Sequence, residues 1–209
     1  MNAQTERLEV SGPAGRMQVL RDQPQGTPLG TAFISHPHPL FGGTMDNKVV
    51  QTLARAFVQG GWTAVRFNFR GVGTSEGTHD NGIGEAADLQ SLIAQLAPDG
   101  ALALAGFSFG GYVTAQAVEA LWTQRDIRFV VLVGTAAARF PVPALPPESH
   151  DRTLVIHGER DETVPLAAAL DWARPQSLPV TVVPGVEHFF HGQLPLLKNL
   201  VVRHLRTQG

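Results

Sequence analysis

Short runs of β-branched and apolar residues alternate along the chain with longer stretches whose apolar positions recur every three or four residues. The short runs predict strands at Gly15–Arg21, Gly30–Ser35, Trp62–Phe69, Ala101–Gly106, Arg128–Val133, Thr153–His157 and Val180–Val183. The longer ones predict helices over Asp46–Gln59, Gly84–Leu96, Phe109 to about Gln124, Pro165–Trp172 and Pro195–Thr207. In the first helix Val49, Val50, Leu53, Ala54, Ala56, Phe57 and Val58 make a stripe broad enough to lie on a sheet, and Gly60-Gly61 ends it. Strands separated by helices imply parallel pairing through crossover connections, with helices on both faces, so the fold class is α/β. The first two strands are joined by the turn Asp22-Gln23-Pro24-Gln25-Gly26, which predicts an antiparallel pair. The Pro-rich segment Ala136–Asp151 is too short for a second domain, so one domain is expected over residues 1–209.

Composition narrows the chemistry. A chain of 209 residues buries a sizeable core without covalent staples, and with no cysteine it has no disulfide, thiolate metal site or Cys nucleophile. Sixteen basic against 18 acidic side chains, with no basic block, argue against a nucleic-acid partner. The longest nearly unbroken apolar stretch, Phe129–Ala138, is about half a bilayer span, so no membrane span is expected. The opening MNAQTERLEV lacks the charged-then-apolar pattern of a secretory signal, and a cytoplasmic location is expected. Charged residues make up only 16%, which hints at an open apolar mouth.

The sharpest chemical feature is Gly106-Phe107-Ser108-Phe109-Gly110, a GxSxG sequence at the join of a predicted strand and helix. A serine on so tight a turn needs small neighbours, which Gly106, Gly110 and Gly111 supply, and the helix start directs its positive end at the hydroxyl. The bland alternative is a serine that merely caps the helix. A serine hydroxyl also needs a base. His188 follows the last strand in VPGVEHFF, with His191 as its competitor three residues on. Asp161, in HGERDETVP, follows the preceding strand and suits the acid that orients an imidazole, although it could instead cap the helix at Pro165, and Glu159 or Glu162 could replace it. The order Ser108, Asp161, His188 is that of a nucleophile, acid and histidine on a parallel sheet.

The loop His36-Pro37-His38-Pro39-Leu40-Phe41-Gly42-Gly43 follows the Gly30–Ser35 strand, where a second oxyanion donor should arise. Proline has no N–H, so between residues 37 and 40 only His38 and Leu40 can donate; Phe109, after the serine, supplies the other donor. A metal bound by the His36-x-His38 pair is the rival reading, and no neighbouring ligand in sequence completes it. Arg70, at a strand end, is a candidate for an anionic substrate group and equally for a loop carboxylate. Phe41 and Phe189 are candidates for contact with substrate.

These segments, HPHPLFGGTMDNKVV (36–50), FRGVGTSEG (69–77), GFSFGG (106–111), HGERDETVP (157–165) and GVEHFFHG (185–192), resemble the α/β-hydrolase superfamily, and more narrowly its small lidless bacterial esterase-like members, distantly similar to the dienelactone-hydrolase group. The resemblance implies a mostly parallel sheet of seven or eight strands, no cap domain, no cofactor, and Ser108, Asp161 and His188 as nucleophile, acid and base with backbone donors at His38 and Phe109. One departure is His36-Pro37, where many relatives have His-Gly. The expected activity is hydrolysis of a carboxylic ester or thioester of a small acyl substrate through an acyl-enzyme. A peptidase or acyltransferase using the same triad, and a binding protein on a hydrolase scaffold that no longer turns over, are the alternatives. The sequence carries no signal for oligomeric state.

Overall fold

The computed structural model describes residues 5–206. Eight strands, β1 (Glu6–Gly12), β2 (Gly15–Asp22), β3 (Thr31–Ser35), β4 (Thr63–Phe67), β5 (Leu102–Phe107), β6 (Ile127–Val133), β7 (Thr153–Gly158) and β8 (Val180–Val183), form one sheet in the order β1-β2-β4-β3-β5-β6-β7-β8. Pairing is parallel from β4 through β8 and antiparallel at β1–β2 and β2–β4. Five helices cover it: α1 (Lys48–Gln59), α2 (Ile83–Leu96), α3 (Phe109–Leu121), α4 (Leu166–Ala173) and α5 (Leu194–Arg206).

Successive side chains of a strand point to opposite faces, and here both faces are dry. Phe33, Leu102, Leu104, Val130 and Leu132 point into a core shared with α2 and α3. Their neighbours Ile34, Ala103, Ala105, Val131 and Val133 point the other way, against α1 and α5. Small alanines on β5 leave room for α1 to lie close, where Val50, Leu53 and Phe57 complete the second layer. The connection between β6 and β7 holds no cap domain; its regular structure is a short 3-10 turn at Pro147–Arg152.

One expectation changes. The first two predicted strands run in opposite directions but do not pair, because β4 lies between them: β2 matches Val19 to Phe67, and β3 matches Phe33 to Val65. Sequence proximity suggested a hairpin, whereas the crossover through α1 places β4 in the gap. The hairpin partner of β2 is β1, an edge strand with only Val10 buried, whose polar sequence ERLEVSG gives little apolar signal. Thr207, the predicted end of the last helix, lies outside the described residues. Among the described residues no helix is long and apolar enough to cross a membrane.

Candidate active site

The carboxyl ends of β3, β5, β7 and β8 meet at one rim, the position where open α/β sheets form a crevice. At the end of β5 the chain turns sharply into α3. Ser108 takes φ 57° and ψ −118°, a conformation that costs a non-glycine residue about 1–3 kcal/mol. The turn closes because nothing larger than hydrogen stands beside it: a Cβ on Gly106 would come 2.1 Å from the Gly110 carbonyl oxygen, and one on Gly110 would come 2.3 Å from that of Ser35. The Ser108 N–H donates to the Val133 carbonyl at 2.9 Å, which fixes the turn to β6. Although Ser108 stands at the N-cap position of α3, its side chain does not cap the helix.

The hydroxyl is instead engaged by an imidazole. His188 Nε2 lies 3.1 Å from Ser108 Oγ, and His188 Nδ1 lies 2.6 Å from Asp161 Oδ2. All three residues are buried. Asp161 divides its two oxygens between the roles that the sequence offered as alternatives. Oδ1 accepts the N–H groups of Thr163 (2.9 Å) and Val164 (2.7 Å), organising the turn into α4, while Oδ2 faces the imidazole. His157 braces the same turn, donating through Nε2 to the Val164 carbonyl at 2.8 Å and lying 3.5 Å from Asp161 Oδ2. A carboxylate on Nδ1 fixes the tautomer whose Nε2 is free to take a proton from the serine. The competing groups are elsewhere: His191 is exposed and paired with Glu187 at 3.1 Å, and Glu159 accepts the Gly185 N–H at 2.7 Å.

Opposite the serine, the loop after β3 is tied down by His36. This ring is fully buried; it donates through Nδ1 to the Pro37 carbonyl at 2.6 Å and accepts the Phe69 N–H at Nε2 (3.0 Å). Burial drives its pKa down to about 3 despite the Pro37 hydrogen bond, so it is neutral at any ordinary pH. With both nitrogens spent on backbone, His36 has no lone pair left to share with His38 on a metal. The Met45 N–H donates to Asn68 Oδ1 at 2.9 Å and Arg66 donates to the Met45 carbonyl at 3.2 Å, pinning the far end of the loop. Between these anchors the Leu40 N–H turns to the His38 ring (3.2 Å to Nδ1), and Leu40 does not line the cavity over Ser108. No hydrogen bond of the described residues uses the His38 N–H, and Phe109, as the first residue of α3, has no acceptor within its helix.

A cavity of about 350 Å³ opens over Ser108 and His188, lined among others by His38, Phe41, Phe109 and Phe189. Phe41 and Phe189 stand at its mouth with 73% and 40% of their surface exposed. Arg70 does not reach it. Its guanidinium forms a two-pronged pair with buried Asp88 (2.7 and 2.8 Å), which also raises its pKa, and the substrate role considered for it is corrected to a structural one. Two lining residues, Arg139 and Phe140, were not singled out in the sequence. They fall in the irregular segment after β6, where no periodicity marks them.

Residues 32–165 match the cutinase family. A lidless α/β serine hydrolase from Xanthomonas campestris is 36% identical and superposes with a TM-score of 0.88, covering 99% of this chain and 96% of its own. An α/β serine hydrolase homologue from Coxiella burnetii is 38% identical with a TM-score of 0.83, covering 96% and 97%. A protein of Rickettsia prowazekii is 38% identical over 116 residues, 54% of this chain; the chain spans about half (49%) of the length of this curated relative. The chain belongs to the α/β serine hydrolases, and within them to the cutinase family.

Proposed function

We propose that the protein hydrolyses carboxylic esters or thioesters of small acyl groups through an acyl-enzyme on Ser108. The hydrogen-bonded line from Ser108 Oγ through His188 to Asp161, 3.1 and 2.6 Å long, is the observation that carries this reading. His188 Nε2 takes the hydroxyl proton as Oγ adds to the carbonyl carbon, and Asp161 steadies the imidazolium. The developing oxyanion is received by the N–H groups of Phe109 and His38, with Leu40 displaced from that role by its bond to the His38 ring. The tetrahedral centre collapses, the bond to the leaving oxygen or sulfur breaks, and the proton on His188 goes to the leaving group. Water, deprotonated by the same imidazole, then releases the acid and restores Ser108.

An open cavity with apolar aromatics at its mouth suits short or extended acyl groups better than long lipids that need an enclosed tunnel. A series of p-nitrophenyl esters tests the reading: turnover with a pre-steady-state burst, fastest for short chains, is expected. No turnover of any member, or a clear preference for sixteen-carbon chains, contradicts it.

A further inference from the structure

The proposed chemistry leaves unused Arg139, among the described residues the one permanently charged side chain that lines the cavity. His38, which shares the cavity, is held below the usual imidazole range by burial first, with the neighbouring His79 and Arg139 side chains adding to the shift. The arginine is presented by an anchored turn. The Ala136 N–H donates to the carbonyl of Ser108 itself (3.2 Å), and the N–H groups of Arg139 and Phe140 both donate to the Ala136 carbonyl at 3.1 Å. Phe140 stacks on Tyr112 with ring centres 5.0 Å apart and meets Phe109 edge-on at 5.1 Å. The guanidinium lies 5.7 Å above the Phe41 ring, which gives it an aromatic platform. No carboxylate of the described residues lies within ion-pair reach of it. Arg66, Arg70 and Arg16, by contrast, are all paired. Glu85, the acid that also acts on His38, is buried and taken up by the N–H groups of Asp80 and Gly82 and by His79.

We propose that Arg139 is an anion-recognition site of the cleft and that the substrates are esters or thioesters carrying a carboxylate on the acyl or the alcohol part. The assignment rests on the hydrolase reading above. A carboxylate entering the mouth meets a planar fork of donors with no competing carboxylate among the described residues, while Phe41 and Phe189 flank the carbon chain between that carboxylate and the reacting carbonyl. An unpaired guanidinium favours such a substrate over its neutral isostere without taking part in the bond changes.

Two matched pairs of esters separate the sources of the charge. The p-nitrophenyl monoester of adipic acid against its methyl ester places it on the acyl side; para-butanoyloxybenzoate against para-butanoyloxybenzamide places it on the leaving group. With rates corrected for hydroxide hydrolysis, the wild type should prefer the acid in one pair by about tenfold in kcat/KM, an advantage that shrinks in about 0.5 M NaCl. The ratio should fall close to one in Arg139→Gln and invert in Arg139→Glu. A wild-type ratio near one in both pairs, or a ratio that Arg139→Gln leaves unchanged, overturns the assignment while turnover of the neutral esters sustains the hydrolase reading. Absence of turnover for all four compounds, with no acylation of Ser108, overturns both.

Discussion

At the floor of the cavity the polar groups face partners inside the protein; at its rim they face solvent. Ser108, His188 and Asp161 are buried and joined in one line, and the spare oxygen of Asp161 is filled by two backbone N–H groups. Phe41 and Phe189 at the rim are exposed, and Arg139 has an aromatic platform but no counter-ion among the described residues. The difference teaches how one small fold divides labour. Groups whose positions must be fixed to a fraction of an ångström are locked by burial and hydrogen bonds, whereas groups that choose among ligands stay open to them. Floor substitutions should therefore change kcat by orders of magnitude, and rim substitutions should change KM or substrate ratios by small factors.

The largest expected effect is that of Ser108→Ala, which should lower kcat on p-nitrophenyl butyrate by on the order of 10⁵-fold or more in steady-state assays. Asp161→Asn comes next, at about 10⁴-fold, because an amide presents the wrong partner to His188 Nδ1. Its Oδ1 can still accept from Thr163 and Val164, so the thermal midpoint should barely move, as calorimetry would show. Asp161→Ala should lose both activity and stability.

His36→Asn tests the wall opposite the serine. In the wild type the buried ring resists protonation down to about pH 3, whereas in the unfolded chain it protonates near 6.5. Between those values the unfolded state binds more protons, so stability is complete above pH 6.5 and declines as pH falls toward 3, by up to about 1.4 kcal/mol per pH unit from this group. Urea titrations across that range should show a shallower acid slope in the variant. At neutral pH the variant should lose about tenfold or more in kcat, since the loop that holds the His38 N–H is no longer tied to Phe69. The smallest effect belongs to Phe41→Ala, a rise of about two- to fivefold in KM at nearly constant kcat. A kcat loss at Phe41 as large as that at Asp161 would erase the division between floor and rim.

Much of this was legible in the sequence because it is written locally. Alternation of apolar strands and amphipathic stretches gave the α/β class and seven strands, and a serine between glycines at a strand–helix join announced its own strained turn. The meeting of Asp161 and His188 beside Ser108 followed from their places after successive strands, since strand ends in a parallel sheet share one rim. What depends on non-local pairing did not show. The Arg70–Asp88 pair joins a strand end to a helix 18 residues away, and the insertion of β4 between β2 and β3 is a property of the crossover, not of the turn. Edge strand β1 buries too little to leave a period, and the turn that presents Arg139 is built from aromatic stacking across three elements.

The central claim is that Ser108 is the group acylated by substrate. Intact-protein mass spectrometry after reaction with a fluorophosphonate, followed by peptide mapping, tests it most directly. The account predicts one adduct per chain, located on Ser108 and absent from both Ser108→Ala and heat-unfolded protein. An unmodified wild type, or an adduct on any other residue, would contradict it.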